Sequence, residues 1–182
     1  MRYEQIGDAI GGTPLVRVDA LLPAAARAKG IRLYAKVEML GPTGSIKDRT
    51  AKALIDDLHF RGLLAPGREL LEPTSGNTGA ALAVHAAARG IPLTLVMPAN
   101  VTEERRAFVR ALGATIVDSP ADEGSNGAVA LARAMAKADS KYVSPDQYSN
   151  QANPKVHEVT TAPEILADLP EVDVVEIGRA HV

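Results

Sequence analysis

Three short stretches of this chain hold residue types that can do chemistry at the spacing chemistry needs. In Gly41-Pro42-Thr43-Gly44-Ser45-Ile46-Lys47-Asp48-Arg49, a proline and two glycines force a turn. Ser45 and Asp48, three residues apart, have the spacing of a capping box, so Lys47 falls in the first turn of a helix. The positive pole of the helix dipole disfavours a cation there by about 0.3–1 kcal/mol. That favours the neutral amine needed to form a Schiff base with an aldehyde. A solvated surface lysine is the commoner use of such a turn, and the stretch alone leaves both uses open. A P-loop is excluded by the letters themselves. Its pattern needs a glycine where Ile46 stands and a hydroxyl where Asp48 stands.

The second stretch is Glu72-Pro73-Thr74-Ser75-Gly76-Asn77-Thr78-Gly79. It follows an apolar run and precedes a helical pattern, so its small residues let several backbone N–H groups converge on one anion at a helix start. Thr74, Ser75 and Thr78 add hydroxyl donors, and Asn77 can donate to a second acceptor. An ordinary cap uses the same letters, although a cap does not need glycines on both sides of Asn77. The third stretch, Gln147-Tyr148-Ser149-Asn150-Gln151-Ala152-Asn153-Pro154, is polar and rich in turn formers. Its amides can bind a carboxylate or satisfy their own backbone.

The elements that must position these stretches follow from hydrophobic periodicity. Residues 33–37, 69–72, 93–97, 115–118 and 172–175 read as buried strands. Ala51, Leu54, Ile55 and Leu58 recur at i, i+3, i+4 and i+7, which lines one face of a helix. Further helices are expected over 78–89, closed by Gly90, over 102–112, closed by Gly113, and from Gly124 to about Ala138. Strands alternating with helices in this rhythm predict an α/β fold, a doubly wound, mainly parallel sheet in three αβα layers. The chain has 182 residues, 46% hydrophobic and 23% charged, with a formal net charge of −2 and no long basic block. Nucleic acid and anionic membranes are therefore poor partners. No apolar run reaches the ~18 residues of a membrane span, and the start lacks the layout of a secretory signal. There is no cysteine, and the four histidines show no metal-ligand spacing, so no metal site is expected. A cytoplasmic location is the expectation.

The three stretches come in a fixed order with Gly12-Thr13-Pro14-Leu15, Lys36-Val37-Glu38, Met97-Pro98 before Glu104-Arg105-Arg106, and Thr160-Thr161-Ala162-Pro163-Glu164. As a set they resemble the cysteine synthase and cystathionine β-synthase family, of the fold type II (tryptophan-synthase-β-like) class. The resemblance implies pyridoxal 5′-phosphate as cofactor, held covalently by Lys47, which would later shuttle the α-proton. It implies that Asn77 bonds the cofactor's ring hydroxyl. Thr74, Ser75, Thr78 and Gln147 would hold the substrate α-carboxylate. Such enzymes remove a leaving group from the β-carbon of a serine derivative and add a nucleophile, commonly sulfide. The resemblance implies small-molecule partners, an amino-acid substrate and a sulfur nucleophile, and a homodimer. Residues 41–143 would form a smaller subdomain, with 1–40 and 144–175 an incomplete part of a larger one. Gly41 stands where many relatives carry Asn, and Ala162 where Gly is usual. A Gly/Thr-rich phosphate loop is expected after 172–175, and Glu176 to Val182 stand there instead. The expectation is that 176–182 is a non-native tail, and that the chain as given is inactive.

Overall fold

The computed structural model describes residues 2–177. Four strands, β3 (Glu69–Pro73), β4 (Leu93–Pro98), β5 (Thr115–Ser119) and β6 (Tyr142–Val143), form one parallel sheet in the order β5-β4-β3-β6. Between them run α3 (Asn77–Ala88), α4 (Glu103–Ala111) and α5 (Gly124–Ala138), while α2 (Lys47–Phe60) precedes β3. The sheet is buried on both sides, and alternate residues of each strand serve different layers. Leu70, Leu95 and Met97 pack with Ala51, Ile55 and Leu58 of α2 and Ala81, Leu82 and Ala86 of α3. Leu71 and Val96 face the other way, onto Ala128 and Ala132 of α5. All six residues of β4 are buried, as a central parallel strand requires. The three-layer α/β architecture is the one expected.

The helices form where the periodicity put them. Ala51, Leu54, Ile55 and Leu58 are at most 2% exposed. Gly90 ends α3 at φ 64°, where its N–H and that of Ile91 bond back to Ala87 and Ala86. A side chain at that φ would be strained.

Two expected strands differ. Within 33–37 only β2 (Tyr34–Lys36) forms, and it pairs antiparallel with β1 (Leu15–Arg17) outside the main sheet. Periodicity marks an apolar run without saying which sheet it joins. Residues 172–175 form no strand, and Val174 and Val175 are 79% and 61% exposed. An extended run becomes a strand only with a ladder partner, and none adjoins it among the described residues. Of the expected tail, 178–182 lie outside the described residues. Before α2 come α1 (Ala24–Ala28) and short turns; after β6 come α6 (Ala152–Val156), a π-helical turn His157–Thr161, and α7 (Ala162–Asp168). No helix of the described residues is long and apolar enough to cross a membrane.

Strand order fixes where a site belongs. The chain winds from β3 through β4 to β5, then returns through α5 to place β6 on the far side of β3. The winding reverses between β3 and β6, and the crevice beyond their carboxyl ends is where open α/β sheets bind ligands. The Thr74–Thr78 loop leaves one of these strands, and the loop carrying Gln147 leaves the other. Because α2 runs into β3, its first turn lies at the same edge as the first turn of α3.

Candidate active site at the switch point

One run of hydrogen bonds joins the three chemistry-bearing stretches. Thr50, one turn after Lys47 on α2, donates its hydroxyl to Asn153 Oδ1 at 3.1 Å. Asn153 donates from Nδ2 to the Gln147 carbonyl at 2.8 Å. Gln147 Oε1 accepts from the Thr78 hydroxyl on α3 at 2.7 Å. The first turns of α2 and α3 and the loop carrying Gln147 are thereby tied together across residues far apart in sequence.

Lys47 begins α2, as expected, but the cap differs. Ser45 Oγ accepts the Lys47 N–H at 3.3 Å, and the Asp48 carboxylate turns back onto Thr43, accepting its N–H at 2.9 Å and its hydroxyl at 2.8 Å. The expected capping box is not made, because Asp48 finds two donors in the preceding turn. Gly41 permits this: a Cβ there would lie 2.6 Å from Asp48 Oδ2. Of the lysines that are at least partly buried, Lys36 pairs with Glu164 and Lys52 with Asp56, each at 2.7 Å. Lys47 is half-buried, and its ε-amino group meets no hydrogen-bond or ion-pair partner among the described residues.

The β3–α3 loop is similarly open. The N–H groups of Ser75, Asn77 and Thr78 have no acceptor among the described residues, nor does the exposed Asn77 side chain donate to one. Unsatisfied donors at a helix start form an anion site. Thr74 Oγ1 accepts the Gly76 N–H at 3.3 Å, which leaves its own hydrogen free to donate. Thr78 spends its hydroxyl on Gln147, so its backbone N–H is what remains for a ligand. An aldehyde and a carboxylate together fit this donor set: a lysine without a carboxylate partner, free N–H groups, and an exposed amide.

Sequence reasoning missed two groups that hold this edge together. Glu72, fully buried at the end of β3, accepts the Asp146 N–H at 3.0 Å and the Gln147 N–H at 3.3 Å. Burial pushes its carboxyl up to about 7. The other group is Arg49, 2% exposed, which forks onto Glu38 at 2.8 and 2.9 Å and onto Glu164 at 2.7 Å through both terminal nitrogens. Thr13 donates to Glu38 at 2.6 Å, and Lys36 pairs with Glu164. Four of the sequence stretches singled out for their order are thus one ionic cluster at the foot of the Lys47 helix. Their charges were the signal, but only the fold brings them together. Behind Thr50, His157 contacts its hydroxyl at 3.4 Å; burial, then the charges of Lys47 and Arg49, hold its imidazole below the usual range. Arg106 of the Glu104-Arg105-Arg106 stretch is structural, bonding the Pro98 carbonyl and Asp118.

The hydrogen bonds from Arg49 hold the Glu164 carboxyl down at about 2. A carboxylate depressed on folding stabilises above its unfolded value, here 4.5, and loses that contribution as pH falls through the folded value. Glu164→Gln should therefore flatten the decline in urea-unfolding stability between those two pH values. An unchanged slope would contradict the assignment.

A parallel sheet with donor-rich loops on both sides of its switch point, and a lysine without a partner among the described residues beginning the adjoining helix, defines an α/β protein with a crevice suited to a small anionic ligand. Comparison with known proteins narrows it: this chain belongs to the family described as pyridoxal-phosphate dependent enzyme, which matches residues 6–180. Cysteine synthase A of Salmonella typhi is 47% identical over 174 residues, 94% of this chain and 52% of that protein. Among solved structures, O-acetyl serine sulfhydrylase isoform 3 of Entamoeba histolytica has a TM-score of 0.86 at 35% identity, covering 93% of this chain and 51% of that one. The O-acetylserine dependent cystathionine beta-synthase of Helicobacter pylori has a TM-score of 0.83 at 34% identity, covering 93% and 55%. The chain spans about half the length of the curated relatives it matches.

Proposed function

We propose that this chain carries the lysine-bearing part of a pyridoxal-phosphate enzyme that makes cysteine by β-replacement on an activated serine, O-acetylserine or O-phosphoserine. The observation that carries the reading is the hydrogen-bond run from Thr50 through Asn153 and Gln147 to Thr78, which ties the Lys47 turn to the anion-binding loop. Bound here, pyridoxal phosphate supplies the electron sink for the charge left on Cα when its proton leaves. Lys47 Nζ would hold the cofactor and would accept the Cα proton as general base. The Asn77 side chain would donate to the cofactor's ring oxygen. Thr74, Ser75, Thr78 and Gln147 fix the α-carboxylate, through hydroxyl, backbone N–H and amide groups, and so orient Cα–H towards Lys47. Departure of the leaving group from Cβ, addition of sulfide there and return of the proton from Lys47 to Cα would give cysteine.

The division into a smaller subdomain, 41–143, and a larger one holding 1–40 and 144–175 belongs to the same reading, as do a cytoplasmic location and a homodimer. The Helicobacter pylori likeness favours a second nucleophile, homocysteine, with cystathionine as product. The test is direct. The full-length parent protein, mixed with pyridoxal phosphate, should turn yellow, its visible band should shift on adding O-acetyl-L-serine, and sulfide should then release cysteine. Faster consumption of homocysteine than sulfide would select the second reading, and a colourless protein would end both.

A further inference from the structure

Glu72 lies at the crevice, and the chemistry proposed above leaves it unused. It is fully buried at the carboxyl end of β3, two residues before Thr74. The β3–β6 ladder stops at Leu70 and Val143, so beyond that point no sheet bonding holds the chain leaving β6. The Glu72 carboxylate takes over. Its Oε2 accepts the Asp146 N–H at 3.0 Å and the Ser144 hydroxyl at 3.5 Å, and its Oε1 accepts the Gln147 N–H at 3.3 Å. Asp146 has φ 51°, the one left-handed residue other than glycine among those described. Strain of that kind persists only where the surroundings over-determine it. A buried carboxylate is also an expensive way to fill a core, since an apolar side chain would fill it at no desolvation cost. Strain and burial meet at one point, the backbone of residues 146 and 147.

We infer that Glu72 is a positioning residue for the substrate carboxylate, holding the Asp146–Gln147 backbone so that the Gln147 amide meets Thr78 across the switch point. This rests on the functional reading above, because it takes that crevice as the carboxylate site. Two trends with pH separate this role from simple filling. The ionised carboxyl offers two charged acceptors to the amides, whereas protonation weakens both bonds. Loop order should therefore rise as Glu72 ionises. Global stability should move the other way. A carboxyl raised on folding, here to about 7 from 4.5, stabilises most below its unfolded value and loses that contribution as pH rises through the folded one. The other charged or titratable groups around it are Asp146 beside it, and Arg133 of α5 and Tyr148, which line the same pocket of about 150 Å³.

Amide hydrogen exchange by NMR on the whole chain, corrected for intrinsic rates, tests the inference. Protection of the Asp146 and Gln147 amides should rise across the titration of Glu72 while that of β4 amides falls. In Glu72→Gln both loop amides should be roughly tenfold less protected and insensitive to pH in that window. Protection that falls with pH in step with β4, or that is unchanged in Glu72→Gln, overturns the role. If Glu72→Gln does not fold, Glu72→Asp keeps the charge but draws it back by one methylene. Its loop amides should lose protection while β4 keeps its own, and unchanged loop protection would again overturn the role. Exchange needs neither cofactor nor turnover. A colourless, inactive full-length parent therefore counts against the functional reading, and flat amide protection in this chain against Glu72 alone.

Discussion

Borohydride reduction of the full-length parent protein loaded stoichiometrically with pyridoxal phosphate is expected to fix a pyridoxyl group on Lys47 and on none of the other six lysines of this chain. The selectivity follows from what each amine already does. Lys36, Lys52, Lys141 and Lys155 are ion-paired to Glu164, Asp56, Glu69 and Glu158. Lys29 and Lys137 are exposed and sit outside the crevice. Among the described residues Lys47 alone combines partial burial, no carboxylate partner, and a place at a helix start. Lys47→Ala should lower β-replacement by ~10²–10⁴-fold, the worth of a positioned general base, and by more because the covalent anchor goes too. Its effect on folding should have the opposite sign. Removing a cation from the positive pole of a helix stabilises by about 0.3–1 kcal/mol, and alanine is the best helix former for that position. Urea unfolding and peptide mapping check both halves. A label on another lysine, or turnover near the wild-type rate in Lys47→Ala, would remove Lys47 from the chemistry.

That split between stability and chemistry also explains what the sequence revealed. Local signals were legible because they depend on neighbours in the chain: the i, i+3, i+4, i+7 face of α2, the glycine after α3, and the strand-then-small-residue turn at 72–79. The candidate ligands Lys47, Thr74, Ser75, Asn77, Thr78 and Gln147 were legible as donors for the same reason. What they bond to was not. The Thr78 hydroxyl reaches Gln147 across 69 positions, and Arg49 reaches Glu164 across 115. No periodicity encodes such distances. Asp48 shows the same limit at short range, since its spacing from Ser45 satisfied a cap rule while Thr43 offered it two better donors. Glu72 read as part of a loop motif, and only its burial at the switch point shows that it holds the opposite loop.

The largest effect on stability is expected from Arg49→Leu, a loss of about 3–5 kcal/mol in urea unfolding. Surface ion pairs are worth far less, so the magnitude must come from burial. Arg49 is 2% exposed and directs hydrogen bonds from all three guanidinium nitrogens at Glu38, Glu164 and Thr13. Within the cluster two cations, Arg49 and Lys36, balance two carboxylates, Glu38 and Glu164. Removing Arg49 leaves two half-buried anions facing a single lysine. The penalty is the stranded charge more than the lost bonds, and this yields a second, sharper expectation. Arg49→Leu combined with Glu164→Gln restores neutrality and should recover a substantial part of the loss, so the double variant is more stable than Arg49→Leu alone. Arg49→Lys should fall between, because an ammonium keeps the charge but cannot fork onto two carboxylates at once. If the double variant is instead less stable than either single one, the cluster holds the fold through packing and geometry, and charge balance is not what ties the Lys47 helix to Thr13, Glu38 and α7.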